Sequence, residues 1–232
     1  MKTYLEPAEV GKMEATATNL RDRLLIRLLF HLGCRVSEAL AISTNDIDFA
    51  QGTVTIIHLK RRIRLSCGNC GNGLGITSTF CSRCGKKVAS AVRKEIDRRK
   101  QRILPIDRAT LKLLREYIDR GGPVQRQGKK LLFGINRHRG WQIIRDCADK
   151  AGLPKLTNPE TGEVHNVSPH RLRDAFAVHA VKQDDSGDGL RLLQEHLGHV
   201  SFNTTARYRK VSGKEHHEWY EDLWEESSGS AA

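Results

Sequence analysis

Two short cysteine motifs constrain the fold of this chain of 232 residues more than any other feature of its sequence. Both have the pattern C-x-x-C-G, since CGNCG and CSRCG recur within one short segment. In such a turn two thiolates can point at one metal ion, and the glycine permits the tight backbone turn. Two such turns complete a tetrahedral site with no position left for a substrate. We therefore predict a structural zinc ion, Zn²⁺, in a small zinc ribbon whose ligands are Cys67, Cys70, Cys81 and Cys84.

The expected cellular setting favours metal binding over disulfide formation at these cysteines. Disulfides persist in oxidising compartments, and the N-terminal sequence MKTYLEPAEV lacks the apolar segment of a secretory signal. The most apolar run, residues 24–30, is short and is interrupted by Arg27, so we expect no membrane span. These features predict a cytoplasmic protein. The other two cysteines, Cys34 and Cys147, lie in apolar helical contexts and are expected to be unreactive core residues.

The positive charge of the chain is concentrated around the cysteine motifs. Lys and Arg number 39 against 27 Asp and Glu, for a formal net charge of +12. Residues 57–102 alone hold 13 basic residues and two acidic ones. A dense positive segment of this kind is typical of a protein that binds a polyanion, most often nucleic acid. A solvated basic loop without a partner is the alternative interpretation.

The rest of the chain has mainly helical periodicity. Residues 53–59 and 101–106 are predicted to form a pair of strands that flank the cysteine segment, which is an insertion between them. Gly33 is expected to end one helix in a left-handed cap, and Asp107 is expected to cap the start of another. The predicted helices are 19–32, a short one in RVSEALA, 107–120, 137–151, 169–183, 189–197, 203–211 and 214–226. This pattern predicts a mainly α fold with a small β-sheet, in the α+β class.

The composition also suggests how the chain is divided. We expect a main domain over residues 1–226, with the zinc ribbon inserted over residues 61–99. The last six residues, SSGSAA at 227–232, are small and polar and are predicted to form a disordered tail.

Two arginines, two histidines and a tyrosine form a candidate site for phosphoryl transfer. Arg35 follows a predicted helix end, and His170 and Arg173 are three residues apart on one face of a predicted helix. His199 follows a glycine, and Tyr208 lies nine residues further on among cations. One guanidinium group can donate two parallel hydrogen bonds to phosphate oxygens, and it stays charged. The two arginines can therefore offset the negative charge of a phosphoryl transition state.

Three sequence segments resemble the tyrosine site-specific recombinases, the integrase family of phages and of prokaryotic and archaeal elements. They are HLGCRVSEAL, SPHRLRDAFAVH and LGHVSFNTTARY, which contain the five candidate residues in the order found in that family. The resemblance implies the catalytic-domain fold of DNA breaking-rejoining enzymes. It also implies that Tyr208 attacks a DNA phosphate, forming a 3′-phosphotyrosyl link and freeing a 5′-hydroxyl. Neither ATP nor a catalytic metal is needed, because the ester preserves the energy of the broken bond.

The resemblance further implies a role for each residue. The two arginines and His199 would bind the phosphate, and His170 with its cationic neighbours would help Tyr208 to lose its proton. The family uses a lysine on the turn between two strands as the general acid, and here the insertion interrupts that turn. Lys60 matches the end of the first strand and is favoured, while Lys100, before the second strand, is the alternative. Glu38 is expected to orient its neighbours.

The resemblance implies double-stranded DNA as the partner and self-association on DNA as a tetramer. The acidic segment 214–226 is expected to pack on its own domain or on a neighbouring subunit. Family members usually carry an N-terminal helical domain, which we expect to be absent here, with the basic zinc ribbon supplying part of the missing grip on DNA.

The predicted function is integration, excision or resolution of a mobile element or replicon of prokaryotic, archaeal or viral origin. Two alternatives remain open at this point. A type IB-like topoisomerase would use the same chemistry to relax supercoiled DNA of any sequence. A DNA-binding regulator built on the same fold would bind DNA without forming a covalent adduct.

Overall fold

A computed structural model of the chain describes residues 2–57, 62–75, 77–88, 91–96, 101–126, 128–158 and 161–210. The chain divides into two compact units. The first comprises Met1–Ile56 and Ile103–Ala232, and the second comprises Ile57–Arg102. The predicted helix 214–226 and the predicted tail 227–232 lie outside the described residues.

Helices account for most of the regular secondary structure among the described residues of the first unit. They are α1 (Pro7–Thr16), α2 (Leu20–His31), α3 (Val36–Ala39), α4 (Arg108–Asp119), α5 (Arg137–Lys150), α6 (Pro169–Gln183), α7 (Gly187–Leu197) and α8 (Phe202–Ala206). Short 3₁₀ turns occupy Thr44–Asp46 and Arg207–Lys210. None of the helices among the described residues has the length and apolar composition needed to cross a lipid bilayer.

Short strands complete both units. They are β1 (Ile47–Asp48), β2 (Thr53–Ile57), β3 (Arg62–Cys67), β4 (Gly73–Leu74), β5 (Ala91–Ile96), β6 (Gln101–Pro105), β7 (Val124–Arg126), β8 (Lys129–Leu131), β9 (Leu156–Thr157) and β10 (Val164–His165). One sheet has the order β1-β2-β6, so the two strands that flank the insertion are neighbours. Strands β7 and β8 pair as one antiparallel hairpin, and β9 and β10 pair as another. The helices and small sheets confirm the predicted α+β fold.

Helix α2 lies at the centre of the first unit. Leu24, Leu25, Leu28 and Leu29 are each at most 1% exposed, which explains their spacing of three and four residues. The helix packs against α1, α3, α4, α5 and α6. Because this one helix contacts five others, the site residues just beyond its end are attached to a well-packed part of the fold.

Local signals define several helix ends. The Asp107 carboxylate accepts a hydrogen bond from the Thr110 N–H at 2.9 Å, which confirms the predicted cap of α4. Gly33 has φ 53° just beyond α2, which confirms the predicted left-handed residue. Helix α1 is not in the predicted set, although Pro7 at its first turn and the Glu9 carboxylate, which accepts the Glu6 N–H at 2.9 Å, are recognisable start signals.

The second unit is a three-stranded antiparallel sheet of order β4-β3-β5. Its long hairpin pairs Arg62 with Ile96 at one end and Cys67 with Ala91 at the other. Strand β4 adds to the other side of β3, where Leu65 pairs with Leu74. The first cysteine motif begins at Cys67, the last residue of β3, and the second lies between β4 and β5.

Candidate active site and candidate metal centre

Arg173 is the central cation of the candidate active site. Arg173 is only 2% exposed, and one of its guanidinium nitrogens donates a hydrogen bond to the Gly33 carbonyl at 2.7 Å. The other nitrogen donates to the Leu197 carbonyl at 2.9 Å and contacts His199 Nε2 at 3.0 Å. These hydrogen bonds hold the guanidinium in position, and an arginine side chain stays positively charged in a protein.

Two glycines allow the backbone to turn close to the side chain of Arg173. The carbonyl of Gly33 follows the end of α2, and an added Cβ at this position would lie 2.3 Å from a ring carbon of Phe176. Gly198, with φ 66°, ends α7 in the left-handed conformation. The N–H of His199 then donates to the Gln194 carbonyl at 3.0 Å, which turns the histidine back over the helix end.

His199 is fixed from both sides of its ring. A guanidinium has no acceptor, so Nε2 accepts the hydrogen bond from Arg173 and the ring proton is on Nδ1. Nδ1 donates to Thr205 Oγ1 at 2.9 Å, and Thr205 is fully buried. The predicted donation to a phosphate oxygen therefore requires a second proton on the ring, at Nε2.

Arg35 is held by the carboxylate of Glu38. One carboxylate oxygen accepts from the Arg35 N–H at 3.0 Å, and the other accepts from its guanidinium, also at 3.0 Å. Glu38 is 2% exposed, whereas the side chain of Arg35 is 40% exposed. Arg35 is therefore an oriented and accessible cation, two residues along the chain from the carbonyl of Gly33 that binds Arg173.

Tyr208 lies beside the same cluster. Its ring is nearly parallel to that of His199, at 16°, with 6.3 Å between ring centroids. It packs against buried residues of α6 and α7, including Ala177 and Leu197. Its hydroxyl donates a hydrogen bond of 2.9 Å to the carboxylate of Asp174. Burial and the Asp174 charge raise the pKa of the Tyr208 phenol above its usual value, although Arg173 and Arg207 act in the opposite direction.

Asp174 was not among the predicted site residues. Besides Tyr208, its carboxylate accepts a hydrogen bond from Arg171 at 3.0 Å and lies 3.8 Å from His170 Nε2. The side chain of His170 is 70% exposed, and the hydroxyl of Tyr208 donates its hydrogen bond to Asp174 rather than to His170. The spacing of His170 and Asp174, one helical turn, was the available signal in the sequence.

The structure thus brings together Arg173, His199 and Tyr208 by direct contact and connects His170 to Tyr208 through Asp174. Both lysines considered as general acid, Lys60 and Lys100, lie outside the described residues. A buried guanidinium beside an imidazole and a phenol suits the binding of a phosphate and its attack by the phenolic oxygen.

The four predicted metal ligands form a second cluster, within the second unit. The Sγ atoms of Cys67, Cys70, Cys81 and Cys84 all lie within 4.8 Å of one another. Two of the separations are 3.7 Å, between Cys67 and Cys84, and 3.5 Å, between Cys70 and Cys81. Zn–S bonds of about 2.3 Å in a tetrahedron require S–S separations of about 3.8 Å, so the four cysteines can bind a metal ion.

The two knuckles have the same backbone geometry. The N–H of Gly71 donates to the Cys67 carbonyl, and the N–H of Gly85 donates to the Cys81 carbonyl, each at 2.9 Å. Both glycines have positive φ, of 70° and 68°. The repeated C-x-x-C-G sequence therefore produces two equivalent turns, whose thiols meet.

The knuckle backbone also favours thiolates at the first cysteine of each pair. Hydrogen bonds from the N–H groups of Cys84 and Arg83 lower the pKa of the Cys81 thiol to about 6. Corresponding bonds from Asn69 and Cys70 lower the pKa of Cys67. For Cys70, the Asn72 N–H lowers the pKa, but burial and the neighbouring thiols together raise it to about 11. The negatively charged thiolates repel one another, and a cation bound among the four sulfur atoms would offset this repulsion.

The sequence matches a known protein family over most of its length. Residues 3–67 and 81–215 match the model of the phage integrase family, with the gap inside the cysteine segment. The chain is 27% identical over 205 residues to tyrosine recombinase XerD of Corynebacterium glutamicum, with 85% of this chain and 51% of that protein covered. It is 28% identical over 219 residues to tyrosine recombinase XerD of Mycobacterium tuberculosis, with 90% and 54% covered. The chain spans about half the length of these curated relatives. Both are bacterial and give no support to an archaeal or viral origin.

Solved structures are similar at the level of the fold. The crystal structure of XerA recombinase superposes with a TM-score of 0.63 at 22% identity, covering 96% of this chain and 64% of that chain. The Tn1549 transposon integrase, solved in complex with transposon right end DNA, has a TM-score of 0.57 at 14% identity, covering 96% and 66%. The catalytic domain of bacteriophage HP1 integrase has a TM-score of 0.51 at 16% identity, with both chains covered completely.

Proposed function

Because the chain belongs to the phage integrase family and has the fold of a tyrosine recombinase catalytic domain, we propose that it is a site-specific DNA recombinase. In the proposed reaction, Tyr208 attacks a DNA phosphate, forms a 3′-phosphotyrosyl link and releases a 5′-hydroxyl. A 5′-hydroxyl of another strand then reverses the step. The names of the two curated relatives, both tyrosine recombinases, support this proposal.

The observation that carries the proposal is the contact of a buried guanidinium with an imidazole that stacks on a phenol. Arg173 is 2% exposed, lies 3.0 Å from His199, and His199 stacks on Tyr208. A buried cation next to a nucleophile is suited to bind the anion that the nucleophile attacks. The oriented guanidinium of Arg35 would bind a second oxygen of the same phosphate.

Two further groups complete the proposed site. His170 would contribute positive charge when protonated, at the rim of the site. The leaving 5′-oxygen needs a proton donor, which we assign to Lys60, with Lys100 as the alternative. No metal takes part in these steps, since the phosphate charge is offset by the arginines.

We further propose that the inserted unit is a zinc ribbon, over residues 61–99. The sulfur separations and the repeated knuckles support four-thiolate coordination by Cys67, Cys70, Cys81 and Cys84. When bound, zinc would cross-link the two knuckles of a unit in which few of the described residues are buried and apolar. The main domain would span residues 1–226.

The proposed substrate is double-stranded DNA, bound by a tetramer of the chain inside the cytoplasm. The formal charge of +12 and the 13 basic residues between positions 57 and 102 support a DNA partner. The Tn1549 integrase complex with transposon DNA gives a structural precedent for this fold. The biological role would be integration, excision or resolution of a mobile element or replicon.

A nicked suicide substrate tests the proposed chemistry. A nick close to the cleavage site lets the short released fragment, which carries the free 5′-hydroxyl, diffuse away. The covalent protein–DNA adduct therefore accumulates and is seen as a shifted band on a denaturing gel. Wild-type protein should form the adduct in the presence of EDTA, and Tyr208→Phe should form none. Tyr4→Phe, which removes the hydroxyl of a tyrosine that packs against Lys182, is the matched control and should behave as wild type.

Other results would identify the alternative functions. DNA binding without an adduct by the wild-type protein would indicate a regulator and contradict the proposal. Relaxation of supercoiled plasmids irrespective of their sequence would indicate a topoisomerase.

A further inference from the structure

We propose that Asp174 is a catalytic residue, which receives the phenolic proton of Tyr208 as the phosphotyrosyl bond forms. This inference rests on the proposed function, since it concerns the same strand-cleavage step. The sequence motifs point to His170 and the cations as the groups that help Tyr208 to lose its proton. The hydrogen bonds of the folded chain point to a different group.

The phenolic proton is already directed at Asp174. A phenol has a single proton, and the Tyr208 hydroxyl lies 2.9 Å from Asp174 Oδ1, which can only accept it when ionised. This separation is within the range of hydrogen-bond distances at which a general base acts. The phenolic oxygen retains its lone pairs for attack while its proton points at the carboxylate.

The carboxylate is held in position by groups other than Tyr208. Its second oxygen, Oδ2, accepts a hydrogen bond of 3.0 Å from Arg171. His170 Nε2 lies 3.8 Å from Oδ1, and the side chain of Asp174 is only 17% exposed. Asp174 is thus oriented from its own helix and largely shielded from water, as a group that transfers protons should be.

The order of events follows from the acidities of the two groups. A free aspartate has a pKa of about 3.9 and a free tyrosine about 10, so the proton stays on the phenol before attack. Burial and the charge of Asp174 raise the pKa of Tyr208 further. As the O–P bond forms, electron density leaves the phenolic oxygen and its proton becomes acidic enough for a carboxylate. Proton transfer and bond formation therefore occur together.

The step balances in atoms and charge. The bond from the Tyr208 oxygen to phosphorus forms, and the bond from phosphorus to the 5′-oxygen breaks. The phenolic proton moves to Asp174, and the 5′-oxygen takes a proton from the proposed lysine or from water. In the rejoining step the attacking 5′-hydroxyl gives its proton back to the proposed lysine or to water, and Asp174 returns its proton to the leaving phenolate.

Asp174→Asn tests this role, because it keeps the shape of the side chain and removes its basicity. We expect the single-turnover rate of adduct formation on the nicked substrate to fall by about 10²- to 10⁴-fold, with unchanged DNA affinity. Asp174→Glu should recover part of the rate. The matched control is Asp185→Asn, which removes an exposed carboxylate 3.3 Å from Arg209 and should react as wild type.

Two changes of the reactants separate a proton acceptor from a structural role. Replacing Tyr208 by 3-fluorotyrosine, a more acidic phenol, should shrink the difference between Asp174→Asn and wild type. In a 5′-bridging phosphorothiolate substrate, the leaving sulfur needs no proton. This substrate should restore the rate of adduct formation in a variant that lacks the general-acid lysine, but Asp174→Asn should remain slow.

The outcomes distinguish this inference from the proposed function. An Asp174→Asn rate equal to or above wild type, with Tyr208→Phe inactive, would overturn the inference and leave the recombinase proposal intact. A defect that 3-fluorotyrosine does not reduce would also overturn it, because misfolding or mispositioning would be the cause. If the wild-type protein formed no adduct, the proposed function itself would be rejected.

Discussion

The guanidinium of Arg173 connects parts of the chain that are far apart in sequence. Its partner Gly33 is 140 residues away, and its partner Leu197 is 24 residues away. Hydrogen bonds to charged groups typically contribute about 1.5–3 kcal/mol each. Arg173 therefore stabilises the fold in addition to its proposed role in binding phosphate, and its loss would affect both.

Gly33 is the residue whose replacement should test this arrangement. In Gly33→Ala, the added methyl group would overlap the ring of Phe176, and the backbone would be strained at φ 53°. Left-handed strain of roughly 1–2 kcal/mol and overpacking of about 1–3 kcal/mol predict a loss of about 2–5 kcal/mol in the free energy of unfolding. Urea unfolding of the variant measures it.

Gly11→Ala is the control for this substitution. Gly11 lies within α1 with nothing within 4 Å of an added Cβ, so alanine should leave stability unchanged or raise it by about 0.5–1 kcal/mol. Equal urea midpoints for the two variants would contradict the account given for Gly33.

At the scale of elements, the candidate site is built from helix ends. The last carbonyls of a helix lack partners within the helix and carry partial negative charge. The carbonyls of Gly33, beyond α2, and Leu197, at the end of α7, bind Arg173, which projects from α6. Three helices therefore meet at one guanidinium, which projects from α6 and binds carbonyls at or just beyond the ends of the other two.

The cysteine knuckles are the second element with a testable consequence. The purified protein should contain about one zinc ion per chain, measured by mass spectrometry of metals. The double variant Cys70→Ser, Cys84→Ser should lose this zinc, and the second unit should become sensitive to proteases, because its fold depends on the cross-link. Cys34→Ala removes a buried thiol outside the cluster and should retain the metal. Full zinc content in the double variant would refute the assignment.

At the scale of the whole molecule, the two compact units come from one continuous chain. The second unit is inserted between β2 and β6, and these strands are neighbours in one sheet. The ends of the insertion are therefore brought together by the first unit itself.

Removing the tip of the inserted unit should weaken DNA binding in a salt-dependent way. Residues 65–90 contain the three cations Arg83, Lys86 and Lys87 and no acidic residue. Each phosphate contact contributes about 0.9 to the slope of log affinity against log salt concentration, so replacing these residues by a short linker should make the slope shallower by up to about 3. Fluorescence anisotropy at several salt concentrations measures it.

The triple variant Arg83→Gln, Lys86→Gln, Lys87→Gln should reproduce that change with the knuckles intact. An unchanged affinity and slope in both variants would show that the inserted unit does not contact DNA.

Residue types and short spacings alone determined several helices, the cysteine knuckles and part of the core of this protein. The periodicity of residues 169–183 predicted α6 with its observed bounds, and the repeated C-x-x-C-G motifs predicted the four cysteines that meet. Cys34 and Cys147 were expected in the core and are buried. These predictions succeeded because helix periods, caps and tight turns depend on residues that are close in sequence.

Only the tertiary structure decided how the candidate site is connected. The Tyr208 hydroxyl donates its hydrogen bond to Asp174, 34 residues away, rather than to His170, and Thr205 orients His199. Strands β7 to β10, of two or three residues each, were also not predicted, because such short segments have no measurable period. Side-chain hydrogen bonds depend on distances of a few tenths of an ångström between groups on different helices. Such distances are set by the packing of the whole core, which no local pattern of residues encodes.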